Sequence, residues 1–122
     1  MKKIMIVDDN PSIAHLMKIR LQANGYQVVL ARNGLEGLNM ARQEKPDLVV
    51  LDIMMPELDG CGFAAEIKSY EDLKHIPIVV VTSRDNLQNY LMDLGAEAYL
   101  LKPIDIEKFL NTIKSLTAEV KK

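Results

Sequence analysis

The stretch Leu48-Val49-Val50-Leu51-Asp52-Ile53-Met54-Met55-Pro56 decides the fold. Its first four residues are all apolar, with no polar alternation. A short run of that kind reads as a strand covered on both faces, the habit of a parallel sheet. A carboxylate then breaks the run. Four similar runs flank it, at residues 4–7, 28–31, 78–81 and 98–101, of which 28–31 is the weakest.

Amphipathic stretches lie between the runs. Asn10-Pro11 offers a helix cap followed by a residue preorganised for the first helical position. Ile13, Leu16, Met17 and Leu21 then fall on one predicted stripe, closed by Asn24-Gly25. Leu35, Leu38 and Ala41 mark a second helix after Asn33-Gly34, and Phe63, Ala64 and Ile67 a third after Asp59-Gly60. Leu87, Leu91 and Leu94 give a fourth that ends at Gly95. Asp105 caps a fifth, carrying Ile106, Phe109, Leu110, Ile113 and Leu116, and residues 119–122 are expected to fray. Five β-α units in succession predict an α/β fold, a doubly wound parallel sheet with helices on both faces. With five strands the flavodoxin-like order 2-1-3-4-5 is expected, as one domain over residues 1–122.

Composition narrows the function classes. Apolar residues make up 48% of the chain and charged residues 26%, enough for a core and an ordinary surface. A formal net charge of -2 gives no bulk attraction to nucleic acid. Cys61 is the single cysteine, so no disulfide can form within the chain, and a reducing, cytoplasmic setting is expected. The apolar run after Met1-Lys2-Lys3 is shorter than a signal-peptide core, which needs about 7 to 15 residues. No apolar run reaches the roughly 18 residues of a membrane span. His15, His75 and Cys61 lack zinc spacing, and His15 is expected on a helix surface.

In an open α/β sheet, ligands bind beyond the carboxyl ends of the strands, at the point where strand order reverses. For the expected order that point lies between strands 1 and 3. Asp8 and Asp9 follow strand 1, Asp52 ends strand 3, Thr82 and Ser83 follow strand 4, and Lys102 follows strand 5. Arg32 follows strand 2, which puts it away from that crevice. Taken singly, Asp8 and Asp9 fit turn or cap residues, Thr82 fits a cap of the fourth helix, and Lys102 fits a solvated lysine. Taken together they gather three carboxylates, a hydroxyl and an ammonium at one edge. Crowded carboxylates call for a compensating positive charge. A hard cation such as Mg²⁺ supplies it, and an Asp can act as a nucleophile toward phosphorus.

The chain resembles the response-regulator receiver domains of two-component signalling. The resemblance rests on Ile6-Val7-Asp8-Asp9, on residues 50–56 with Asp59-Gly60, on Val80-Val81-Thr82-Ser83, and on Gly95-Ala96 with residues 99–103, in that order and at family spacing. It implies that Asp52 is the phosphoacceptor. Asp9 would bind Mg²⁺ directly, Asp8 mostly through water, and the backbone carbonyl of Met54 would complete the protein ligands. Lys102 would contact the phosphoryl group, Thr82 would hydrogen-bond it, and Tyr99 would turn inward as Thr82 moves. The Lys102–Pro103 peptide is typically cis in that family. The donor implied is a phosphohistidine on a sensor histidine kinase or phosphotransfer protein. The output is a downstream protein or output domain reached through the helix 4–strand 5–helix 5 surface. Neither nucleic acid nor membrane is an expected partner, and the domain is a signalling module rather than a turnover enzyme. Met54 and Arg84 stand where the family varies widely beside the site. They would restrict attack by water on an acyl phosphate, or Met54 would simply lie over its loop. Tyr90 is expected as a partly buried helix residue in preference to a mark of a partner surface, while Leu58, Ile104 and Phe63 would rim the site or pack the loops.

Other phosphate chemistries fit less well. A phosphatase of the haloacid dehalogenase type carries a second Asp two positions after its nucleophile, and here Ile53 and Met54 follow Asp52. Neither G-x-G-x-x-G nor G-x-x-x-x-G-K-[ST] occurs, so both nucleotide-phosphate loops are missing. The sequence is compatible with a self-standing regulator and with a segment of a larger one.

Overall fold

The computed structural model describes residues 2–52, 59–83 and 86–118. Among the described residues ten elements alternate: β1 (Lys3–Val7), α1 (Pro11–Ala23), β2 (Gln27–Ala31), α2 (Gly34–Glu44), β3 (Leu48–Asp52), α3 (Asp59–Ser69), β4 (Ile78–Thr82), α4 (Gln88–Leu94), β5 (Ala98–Leu101) and α5 (Ile106–Thr117). The strands form one parallel sheet in the order β2-β1-β3-β4-β5. The expected fold is therefore the observed one.

Alternation along the strands feeds two cores. Met5, Val7, Val49, Leu51, Ile78 and Val80 face α2, α3 and α4, where Ala41, Phe63, Ile67 and Leu91 meet them. Ile4, Ile6, Leu48, Val50, Val79 and Val81 face α1 and α5, against Met17, Leu21, Phe109 and Ile113. β3 and β4 are buried along their whole length, which accounts for their unbroken apolar sequence. Close approach decides some positions. A β-carbon on Gly37 would fall 2.8 Å from Phe63 Cε1 and 3.2 Å from Val7 Cγ2, so only glycine lets α2 sit this near β1.

Two predicted stripes need correction. On α1 the buried residues are Ala14, Met17 and Leu21, while Leu16 is exposed; on α2 they are Gly34, Gly37 and Ala41, and Leu35 is exposed. Helices laid on a flat sheet bury small residues at the closest approach, so the apolar stripe and the buried stripe are offset. Tyr90 is likewise exposed rather than partly buried. Phe63 is core, and Ile104 packs on the α1/α5 cluster.

Candidate functional site

The sheet brings the chemistry to one rim. Register pairs Val7 with both Ala31 and Leu51, Asp52 with Val81, and Thr82 with Leu101. The residues that leave or end the strands, Asp8, Asp52, Thr82 and Lys102, therefore follow one another across β1, β3, β4 and β5. A backbone bond from Lys102 N–H to the Thr82 carbonyl, 2.8 Å, extends the ladder one step past β5. Asp52 and Thr82 are the last residues of their strands, so the backbone ladder fixes them.

Three carboxylates meet here. Asp8, Asp9 and Asp52 each offer an oxygen, and these atoms lie within 4.8 Å of one another. Asp8 is 4% exposed and Asp52 3%, whereas Asp9 faces solvent. Lys102 Nζ donates to Asp52 Oδ2 at 3.1 Å, with its side chain 17% exposed. Thr82 is fully buried, and α4 takes Leu87 as its N-cap, so Thr82 is not that helix's cap. Tyr99 on β5 is half-buried against the α2–α4 core. The Lys102–Pro103 peptide is cis.

The β1–α1 turn holds Asp8 in place. Asp8 Oδ1 accepts from Asn10 N–H at 2.8 Å, and Asn10 Oδ1 in turn accepts from Ser12 N–H at 3.0 Å and Ile13 N–H at 3.3 Å. The other oxygen, Asp8 Oδ2, is buried and has no hydrogen-bond partner among the described residues. A buried carboxylate oxygen without a donor is costly. Burial, foremost, and the nearby charge of Asp52 push the Asp8 carboxyl up from its ordinary 3.8 to about 6, against the opposing pull of Asn10 N–H and Lys102. Three carboxylates facing one ammonium, with one oxygen lacking a donor, fit a hard divalent cation with oxygen ligands.

The structure thus brings together Asp8, Asp9, Asp52 and Lys102, with Thr82 on the adjoining strand end. The carbonyl of Met54, and the side chains of Met54, Leu58 and Arg84, lie outside the described residues, as do residues 119–122. Among the described residues, the three carboxylates are the group of ligating side chains close enough to share an ion; His15 and His75 are exposed and apart. Arg32 lies nearer than expected, lining a groove with Asp8 and Asp9 though not with Asp52, Thr82 or Lys102. The signal for it was the register of β2 on β1, which sequence alone leaves unset. No helix is long and apolar enough to cross a membrane among the described residues.

Comparison with known proteins agrees with this geometry. Residues 4–114 match the family described as "Response regulator receiver domain". The polar-differentiation response regulator DivK of Brucella anthropi is 39% identical over 116 residues, covering 93% of this chain and 94% of that protein. The chemotaxis protein CheY4 of Vibrio cholerae superposes with a TM-score of 0.87 at 30% identity, covering 95% of this chain and 98% of that one. Response regulator TrrA of Thermotoga maritima, solved in complex with Mg²⁺–BeF, superposes with a TM-score of 0.85 at 34% identity, covering 95% and 99%. Sequence, fold and site converge on one assignment: the chain belongs to the response regulator receiver domains, the phosphoacceptor switches of two-component signalling.

Proposed function

We propose that Asp52 is the phosphoacceptor, in a Mg²⁺-dependent transfer from a phosphohistidine of a sensor histidine kinase or phosphotransfer protein. The observation that carries this is the Lys102–Asp52 contact of 3.1 Å inside the carboxylate cluster. Asp8, Asp9 and Asp52 would hold the cation, with the Met54 carbonyl as a further ligand. When bound, the cation neutralises charge on the carboxylates and on the transferring phosphoryl oxygens.

The chain's own residues do the rest. A carboxylate oxygen of Asp52 attacks phosphorus in line, and the leaving nitrogen departs with the bond pair. Lys102, already against Asp52, moves its charge onto a phosphoryl oxygen. The Thr82 hydroxyl donates a hydrogen bond to another phosphoryl oxygen. Movement of Thr82 would open room for Tyr99, two residues before Leu101 on the same edge strand, and so alter the α4–β5–α5 surface. That surface would control a downstream protein or output domain, with no direct contact to nucleic acid or membrane. Residues 1–122 would act as one cytoplasmic signalling domain that modifies itself rather than turning over substrate.

Incubation with Mg²⁺ and acetyl phosphate tests this directly. One acid-stable, alkali-labile phosphoryl group per chain is expected by intact mass, and none in Asp52→Asn. Labelling that survives Asp52→Asn, or proceeds equally well in EDTA, sinks the proposal.

A further inference from the structure

We propose that Arg32 is a specificity-determining residue for the phosphoryl donor, drawing dianionic donors along the β2 side of the acidic pocket toward Asp52. The inference rests on Asp52 being the acceptor.

Arg32 leaves the sheet beside Asp8. Register pairs Ala31 with Val7, and Asp8 N–H donates to the Ala31 carbonyl at 3.0 Å, so the next residue after β2 lies at the rim of β1. A groove of about 540 Å³ opens there, lined by Asp8, Asp9, His15, Leu30, Arg32 and Glu36 among others. Arg32 is anchored on this groove rather than wandering from it. Its backbone N–H donates to Glu36 Oε1 at 3.0 Å, and its guanidinium lies 3.6 Å from Glu36 Oε2. Glu36 N–H in turn donates to Oδ1 of the N-cap Asn33 at 2.8 Å, at the start of α2. The Arg32 side chain nonetheless remains 84% exposed, available to an incoming ligand.

Charge gives this placement its consequence. Among the described residues, an anionic donor approaching Asp52 meets three carboxylates, with Lys102 as a cation on the β5 side. On the β1–β2 side the charged and titratable groups facing the groove are Asp8, Asp9, His15, Arg32 and Glu36. Arg32 is the fixed cation among them, set against Glu36. In a cleft walled by protein, such charges raise the local concentration of an oppositely charged ligand, an effect screened over about 10 Å at 0.1 M salt. The reaction itself is unchanged. With acetyl phosphate, an Asp52 oxygen forms the new O–P bond, the donor's P–O bond to the acyl oxygen breaks, and acetate leaves with the electron pair.

The test is the phosphorylation rate at saturating Mg²⁺ and subsaturating acetyl phosphate, for wild type, Arg32→Gln, Arg32→Glu and Glu36→Gln. At about 20 mM salt, Arg32→Glu is expected to slow labelling about three- to tenfold, with Arg32→Gln between. Glu36→Gln, which keeps the acceptor for Arg32 N–H but removes the negative charge, is expected to speed it. These differences should collapse at about 0.5 M salt. They should also be smaller with phosphoramidate, which carries less net negative charge at neutral pH. Equal rates in all four proteins overturn the inference. So does a slowing that persists at high salt, or one that tracks a changed Mg²⁺ affinity. A wild type that takes up no phosphoryl group removes the Asp52 reading and this inference with it.

Discussion

Lys102→Met is expected to slow phosphoryl transfer to Asp52 by about 10²- to 10³-fold, the cost typical of removing one fixed donor aimed at developing charge. Lys102 is well placed for such an effect because its ammonium already lies 3.1 Å from Asp52 Oδ2 with little solvent around it. Methionine keeps most of the stem and its packing while deleting the charge, so lost transfer reports on electrostatics rather than on a cavity. The same substitution leaves Asp52, 3% exposed, facing Asp8 and Asp9 with its ammonium partner removed. Removing one member of a buried pair costs about 3–5 kcal/mol, and the partial exposure of Lys102 reduces this to about 1–2 kcal/mol here. Urea denaturation and the rate of labelling by acetyl phosphate check the two effects separately. The stability loss should largely vanish in Asp52→Asn/Lys102→Met, where position 52 no longer carries a buried charge. Transfer within threefold of wild type would contradict the role given to the lysine.

Asp8→Asn is expected to stabilise the metal-free protein at pH 8 by up to about 3 kcal/mol and to abolish its stabilisation by Mg²⁺. The direction follows from linkage. The Asp8 carboxyl titrates near 6 in the folded chain against 3.8 ordinarily, so the folded state binds the proton more tightly. That preference contributes stability fully below pH 3.8, and the contribution is lost as pH rises through about 6. Above that, the ionised Asp8 sits buried beside Asp52 with one oxygen lacking a donor. Asparagine keeps the acceptor for Asn10 N–H and carries no charge. The difference between Asn and Asp should therefore be near zero at pH 4 and grow toward pH 8. With Mg²⁺ present at neutral pH the order should invert, because wild type gains binding energy that Asp8→Asn has lost. Chemical denaturation at several pH values, with and without Mg²⁺, measures this. A destabilised metal-free Asp8→Asn at pH 8 would show the carboxylate to be structurally required instead.

Much of this was legible in the sequence, for physical reasons that differ by residue. The unbroken apolar runs of β3 and β4 state that both faces are covered, and together with the β-α alternation that implies a parallel sheet. Once the order is set, Asp8, Asp52, Thr82 and Lys102 must share a rim, because each ends or follows a strand. Helix rotation was less legible. Leu16 and Leu35 share the apolar character of the buried stripes, yet the sheet selects Ala14 and Gly37, whose small size permits close approach. Arg32 was expected farther off because an outer strand looks distant in a strand list, whereas the register pairs Ala31 with Val7 and so puts the next residue beside Asp8. Tyr90 carries no pattern separating an exposed aromatic from a half-buried one, and α4 at seven residues is too short for periodicity to decide.

One measurement bears on the central proposition, that five side chains from four strand ends build a single cation and phosphoryl site. Crystals grown with Mn²⁺ and beryllofluoride give an anomalous map of the metal and an image of the phosphoryl mimic together. A single Mn²⁺ peak ligated by Asp9 and Asp52, with Asp8 on it directly or through water, is expected. Beryllofluoride should sit on an Asp52 oxygen within hydrogen-bond reach of Lys102 Nζ and the Thr82 hydroxyl. A metal peak away from these carboxylates, or beryllofluoride absent from Asp52 while Mn²⁺ is bound, would contradict it.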